Sequence, residues 1–110
     1  MNETDFPEAL KRCDNDFELL ASTAAMVSED APIELRRLID ALTHQDASEA
    51  RAAAHALKGM LATFEDSAAV TGLQKVESAT AARDLSTAQS HLEASRPEID
   101  RLIAKIAAVG

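Results

Sequence analysis

The sequence predicts an all-α protein, an up-down antiparallel four-helix bundle with a short additional N-terminal helix. Hydrophobic residues make up 46% of the 110 residues, yet the chain has three Phe and no Trp or Tyr, so aliphatic side chains that suit packed helices must form the core. Three Gly and three Pro leave few turns, which argues against a many-stranded sheet. Apolar residues recur at helical spacing between short polar turns. The length fits one domain that spans residues 1–110.

The first half of the chain predicts a short helix followed by two longer ones. The segment Asp5–Glu8 contains a proline and two acids, as is typical of a first helical turn. Asp14–Asp16 interrupts this helix and can cap the next one, which we expect to run from Phe17 to about Glu29. Asp30–Pro32 predicts a second boundary, so a separate helix is expected from Pro32 to Thr43.

The central helix is predicted from Asp46 to Phe64, and Asp46 with Glu49 resembles a capping box. At ~100° per residue, one stripe of this helix is apolar and should face the core. His55 points roughly 140° away from the centre of that stripe, so its side chain should face water. The apolar stripe consists of Ala50, Ala54, Leu57, Leu61 and Phe64, while Ser48, Arg51, Lys58, Gly59 and Ala62 share the side of His55.

Two further helices are predicted after a break at Glu65–Ser67. The first runs from Ala69 to about Ala82, and Gly72 within it lets another helix come close. The last helix follows a turn at Arg83–Asp84, and Pro97 should kink or break it; we favour a kink. The count is therefore five or six helices, and their short connections make neighbouring helices antiparallel.

Net charge and cysteine content exclude several classes of protein. The net charge of −8 argues against nucleic-acid binding, which needs clustered Lys and Arg. The single cysteine, Cys13, cannot form an intramolecular disulfide, and no segment reaches the ~20 apolar residues of a membrane span. The acidic N-terminus lacks the features of a signal peptide. We therefore expect a cytoplasmic protein that binds neither nucleic acid nor membranes.

The stretch His55–Gly59, preceded by Ala54, resembles the signature of histidine-containing phosphotransfer (HPt) domains, which reads His, any residue, Leu, Lys, Gly. The resemblance extends in layout over the whole chain. It implies a monomeric protein that carries a phosphoryl group on His55 between receiver domains, or from a histidine kinase to a response regulator. It also implies a carrier rather than an enzyme, without autokinase activity and without a cofactor, since magnesium belongs to the receiver.

The residues around His55 suit phosphoryl transfer, in which positioning and charge stabilisation dominate. Lys58 lies one helical turn on and can place its ammonium against phosphoryl oxygens, and Arg51 could offer a second positive charge. Gly59 removes a side chain beside the ring, which leaves room for a docking partner. The resemblance further implies that Glu77 on the following helix accepts a ring N–H and orients the histidine. A solvated surface glutamate is an equally weighted interpretation of Glu77.

An apolar rim around His55 is expected to dock the receiver, with Met60 and residues from the second helix as its candidates. The main alternative is a degenerate HPt domain that binds receiver or kinase domains as an adaptor without carrying phosphate. A dimerisation domain of a histidine kinase would show an acidic residue and a proline after its histidine, where this chain has Ala56 and Met60. A zinc site with His44 and His91 is disfavoured because their spacings from His55 match no helical pair.

Overall fold

A computed structural model describes residues 5–109 as five α-helices joined by short turns. Helices α2 to α5 form a bundle in which each helix packs on its neighbour in sequence and α5 closes against α2. The described part of the chain contains no strand, so the predicted all-helical bundle with a short N-terminal helix is confirmed. Residues 1–4 and 110 of the predicted single domain lie outside the described residues. The helices are α1 (Pro7–Arg12), α2 (Phe17–Thr43), α3 (Ala47–Ala62), α4 (Ala68–Ala81) and α5 (Leu85–Ala107).

The predicted helix boundary at Asp30–Pro32 is wrong, because α2 continues through Pro32 without interruption. A proline inside a helix removes one backbone hydrogen bond and costs about 3 kcal/mol. The apolar stripe of α2 is uninterrupted across this position, since Val27, Ala31 and Leu35 are all buried. Pro32 itself is exposed, so water can solvate the carbonyl group that lacks its partner. Burial of the stripe on both sides of Pro32 thus outweighs the local cost.

Pro97 likewise lies inside a continuous helix, since α5 extends from Leu85 to Ala107. The proline is exposed, and the buried residues of α5 on either side of it, Leu92 and Ile99, belong to the core. Pro97 therefore does not break the last helix, and a kink at this point stays a prediction.

Three of the turns share one design, in which a residue in the left-handed backbone region precedes an aspartate that caps the next helix. The left-handed residues are Asn15, Gln45 and Arg83, with φ of 60°, 57° and 60°. The aspartates that follow them each accept a backbone N–H from three residues on, at 3.0 to 3.1 Å. An aspartate cap of this kind contributes about 1 kcal/mol. The predicted caps at Asp16 and Asp46 therefore fix where α2 and α3 begin.

Helix α1 closes one end of the bundle, at the C-terminus of α3. The ring of Phe6, just before α1, packs edge-on against Phe64 with 5.3 Å between the ring centroids, and both rings are buried. Arg12 Nη2 donates to the carbonyl oxygen of Thr63 at 2.6 Å, which satisfies a backbone acceptor at the end of α3. The helix that carries His55 is thus held at its N-terminus by Asp46 and at its C-terminus by α1.

Helices α4 and α5 approach closely at Gly72, as the sequence predicts. A Cβ atom on Gly72 would lie 2.5 Å from Ser95 Cβ, which is closer than two carbon atoms can pack. Glycine therefore permits the contact between these helices, and the close approach fixes the position of α4. Because α4 carries Glu77, this packing also determines how Glu77 meets α3.

Candidate functional site

The two faces of α3 are separated as the helical phase predicts. The side chains of its inner face are fully buried, and they are Ala50, Ala53, Ala54, Leu57 and Leu61. The side chain of His55 is 70% exposed on the opposite face. A histidine in this position is not part of the core, and its ring is open to a partner molecule.

Glu77 on α4 contacts the ring of His55. The distance from His55 Nδ1 to Glu77 Oε2 is 3.1 Å, and the Glu77 side chain is only 15% exposed. Because an ionised carboxylate can only accept, Nδ1 must carry the proton that is shared with Glu77. In a neutral ring the unprotonated nitrogen is then Nε2, which lies on the far side of the imidazole. The predicted contact between these two residues is present, and Glu77 is not a solvated surface glutamate.

Lys58 belongs to the same group of side chains. Its Nζ lies 2.8 Å from Glu77 Oε1 and 2.7 Å from Gln74 Oε1, and the lysine side chain is 20% exposed. Glu77 Oε1 is buried, and its charged neighbour is the Lys58 ammonium. A lysine ammonium has three N–H donors, so the hydrogen bond to Gln74 and the ion pair with Glu77 leave at least one donor for a further acceptor.

The protonation of Glu77 reflects two opposing effects. Burial alone would raise the pKa of Glu77, because it disfavours the charged carboxylate. Hydrogen bonding and charge attraction from Lys58 and His55 together outweigh burial and hold the pKa of Glu77 below its ordinary value. The site therefore contains a carboxylate that remains ionised at neutral pH between an imidazole and an ammonium group.

Gly59 lies on the open face one turn beyond His55. A Cβ atom built on Gly59 would have no atom within 4 Å, in contrast to Gly72. Ala52 and Ala62 on the same helix are also exposed. The surface around His55 is therefore low because its residues are small, and packing does not require glycine at position 59.

Arg51 does not join the hydrogen-bonded group of His55, Lys58 and Glu77. Its side chain is exposed one turn before His55 and lines a small recess together with Arg83. The structure thus brings three of the five predicted site residues into direct contact. It places Gly59 and Arg51 beside them on the same face of α3.

Gln74 was not among the predicted site residues, although it contacts Lys58. Its amide nitrogen also donates to Ser78 Oγ at 3.2 Å, so the polar chain continues along α4. Gln74 precedes Glu77 by three residues, and residues with this spacing share one helical face. That spacing is the signal that could have identified Gln74 from the sequence.

An apolar stripe runs along the outside of α2. It consists of Leu19, Met26 and Ile33, which are 50%, 62% and 63% exposed and recur every seven residues. These three residues are the large exposed hydrophobic side chains of the described chain. Met60, the predicted docking residue on α3, is partly buried and packs against the core. The exposed apolar area therefore lies mainly on α2.

The site contains no arrangement typical of a metal centre. Within residues 5–109, no group of three or more His, Cys, Asp or Glu side chains could hold a metal ion. None of the helices formed by these residues is both long enough and apolar enough to cross a membrane.

Comparison with known proteins gives one family. The sequence model of the Hpt domain matches residues 22–109, which is well over half of the chain. No curated protein and no solved structure matches the chain. Hpt domains are phosphocarriers of two-component signalling that interact with receiver domains and histidine kinases. With an all-helical bundle and this match, the chain belongs to the Hpt domain family.

Proposed function

We propose that this chain is a phosphoryl carrier that accepts the group on His55 and passes it on to a receiver domain. The observation that carries the proposal is the geometry of His55. The ring is exposed, and Glu77 holds Nδ1, so that the unprotonated Nε2 is turned away from the protein. The donor is an aspartyl phosphate of one receiver or a histidine kinase, and the acceptor is another receiver or a response regulator.

The transfer follows from the atoms that the site provides. Nε2 of His55 attacks phosphorus, an N–P bond forms, and the P–O bond to the donor aspartate breaks with its electron pair moving to the leaving carboxylate. The ring becomes cationic in this step while Nδ1 keeps its proton. The ionised carboxylate of Glu77, 3.1 Å from Nδ1, stabilises that positive charge. The reverse step transfers the group to the aspartate of the next receiver.

Lys58 acts on the phosphoryl group itself. Its two acceptors, Glu77 and Gln74, hold the ammonium beside His55 and leave one N–H donor for a phosphoryl oxygen. Gln74 is thus a positioning residue for Lys58. Arg51 lies one turn earlier on α3, apart from this hydrogen-bonded group, and its positive charge faces a docking partner rather than the phosphoryl group.

Access to the ring sets the role of Gly59. A receiver presents its aspartate from a recess, so a large side chain beside His55 would obstruct docking. The apolar stripe of α2, Leu19, Met26 and Ile33, offers the receiver an exposed apolar contact. The chain acts as a cytoplasmic monomer in this proposal, and magnesium is bound by the receiver.

The second candidate function is an adaptor that binds receiver or kinase domains without carrying phosphate. It predicts an exposed binding surface, which α2 provides, but it gives no reason for an ordered histidine. The contacts of Nδ1 with Glu77 and of Lys58 with both Glu77 and Gln74 favour the carrier.

Phosphorylation with a small phosphoramidate tests the proposal without any partner. We expect one acid-labile phosphoryl group on the wild type by intact mass and phosphorus NMR, and none on His55→Gln. His44→Gln is the matched control, because it removes another exposed histidine and should label like the wild type. A folded wild type that takes no label, or equal labelling of His55→Gln, would contradict the carrier function and favour the adaptor.

A further inference from the structure

We propose that Arg51 and Arg83 form a basic contact that binds carboxylate side chains of the receiver domain beside the transfer site. The proposal rests on the phosphotransfer function above and adds a determinant of partner affinity and orientation. Both side chains are exposed, and they line the same recess of about 80 Å³ between the start of α3 and the end of α4.

These two arginines differ from most cations of the chain in that their side chains have no ion pair or hydrogen bond with residues 5–109. The chain has eleven Lys and Arg, and all of them lie within residues 5–109. Six take part in ion pairs with acids, namely Lys11, Arg37, Lys58, Arg96, Arg101 and Lys105, and Arg12 donates to a carbonyl. Arg36, Arg51, Lys75 and Arg83 remain without such a contact among the described residues. Only Arg51 and Arg83 of these four line one common recess.

The turn itself does not explain the side chain of Arg83. Its φ of 60° lies in the left-handed region, and the N–H groups of Arg83 and Asp84 bond back to Thr80 and Ala79 to end α4. Glycine is the favoured residue at such a position because it pays no steric cost there. Arginine thus occupies a position where the backbone prefers glycine, and its guanidinium makes no hydrogen bond or ion pair with the residues that the structure describes.

The recess suits a carboxylate of another protein. Guanidinium groups bind carboxylates in a bidentate manner, and two of them side by side favour an acidic partner surface. The small volume leaves room for the end of a side chain rather than for a larger ligand. The first turn of α3 also lies at this recess through Ala47 and Ser48, and the N-terminus of a helix carries partial positive charge.

The position of the basic contact complements the apolar stripe of α2. Arg51 lies one helical turn from His55, on the side where α3 meets α4, whereas the stripe lies on α2. A receiver that touched both would be held by an apolar contact with α2 and by charge pairs with Arg51 and Arg83. In a chain with a net charge of −8, this local positive charge would attract an acidic receiver that the overall charge repels.

The test uses the phosphorylated full chain and the receiver of the same genome that takes the phosphoryl group from it fastest. Arg83→Gly suits the turn, so it removes the guanidinium without weakening the fold, and it is combined with Arg51→Ala. We expect the double variant to need about tenfold more receiver for half-maximal transfer, while the maximal rate changes by less than about twofold. The half-saturating receiver concentration of the double variant should depend less on salt than that of the wild type, because the variant lacks the charge pairs that salt screens.

Lys75→Ala is the matched control, because it removes another unpaired cation, on α4, and should leave transfer unchanged. An unchanged half-saturating receiver concentration in the double variant, or an equal effect of Lys75→Ala, would overturn the proposal. A lower maximal rate with unchanged half-saturation would also overturn it, since the arginines would then act on the phosphoryl group. Phosphoramidate labelling separates the two levels of inference. If the wild type takes the label and the double variant transfers the group to the receiver as the wild type does, only the basic contact is refuted. A wild type that takes no label, or that passes its group to no receiver, refutes the phosphotransfer function as well.

Discussion

The inner and the open face of α3 use similar residues for opposite purposes. Ala53 and Ala54 on the inner face are fully buried and small enough for the neighbouring helices to pack on them. Gly59 and Ala62 on the open face are small as well, but both are exposed, and a Cβ atom on Gly59 would meet no atom within 4 Å. Small side chains let helices approach on one face, and on the other they leave space for a partner. The same composition therefore supports stability on one face and access on the other.

The two helical glycines show this contrast most directly. Gly72 faces Ser95 of α5 so closely that a methyl group has no room, whereas a methyl group on Gly59 would enter open space. Residue type alone does not distinguish these two roles. The neighbours of each glycine do, and substitutions at the two faces should therefore have separable effects on unfolding and on transfer.

Leu57→Ala should give the largest effect on stability. Leu57 is fully buried at the centre of α3, and truncation of such a side chain costs about 2–5 kcal/mol in the free energy of unfolding. His55→Gln, two residues away, should change that free energy by about 1 kcal/mol at most, because the side chain is mostly exposed. Urea unfolding at pH 7 measures both. The rate of phosphoramidate labelling per folded molecule should be the same in Leu57→Ala and in the wild type. A lower rate in Leu57→Ala would show that the inner face affects transfer as well as stability.

Substitution of the two glycines by alanine should change stability in opposite directions. Gly72→Ala should destabilise by about 1–2 kcal/mol net, because the clash with Ser95 exceeds the gain in helix propensity. Gly59→Ala should stabilise by about 0.5–1 kcal/mol, since the added methyl group meets no atom. Urea unfolding of both variants checks the signs. Ser95→Gly should recover part of the loss in Gly72→Ala, and equal signs for the two glycines would contradict the packing argument.

Much of this fold could be predicted because local and global signals agree. The periodicity of α3 separated its faces correctly, and the aspartates at 16 and 46 marked the starts of α2 and α3. The predicted helix boundary at Pro32 was wrong because the prediction considered only the local cost of the proline. It left out the burial of apolar residues of α2 before and after Pro32, which favours a continuous helix. That burial depends on α3 and α5, which the residues around Pro32 do not reveal.

The site was predictable to the extent that one helix determines it. His55, Lys58 and Gly59 share a face by helical spacing alone, and Glu77 was expected from the family resemblance. Gln74 was missed because its contact with Lys58 crosses from α4 to α3. The pairing of Arg51 with Arg83 was missed for the same reason, since it depends on how the end of α4 meets the start of α3. Contacts between helices require the packing angle and register, which the sequence pattern does not supply.

Glu77 lies where the two faces meet, and its pH dependence should give the smallest effect. Hydrogen bonds from Lys58 and His55 lower its pKa against the opposing effect of burial. A carboxyl group with a lowered folded-state pKa contributes stability that is fully present above its unfolded pKa of ~4.3 and is lost as the pH falls through the folded value. Wild type should therefore exceed Glu77→Gln by about 1 kcal/mol in the free energy of unfolding at pH 7.

That difference should shrink as the pH falls below about 5, as urea unfolding between about pH 5 and pH 3 can measure. Glu29→Gln is the control, because Glu29 is an exposed carboxylate without an ion pair among the described residues. It should show little difference from wild type at any pH. A Glu77 difference that grows as the pH falls from about 5 to about 3 would mean that burial raises the pKa of Glu77 in the folded protein. The ammonium of Lys58 and the imidazole of His55 would then fail to hold the carboxylate ionised, and burial would dominate the ionisation of Glu77 as it does for a carboxyl group in the core.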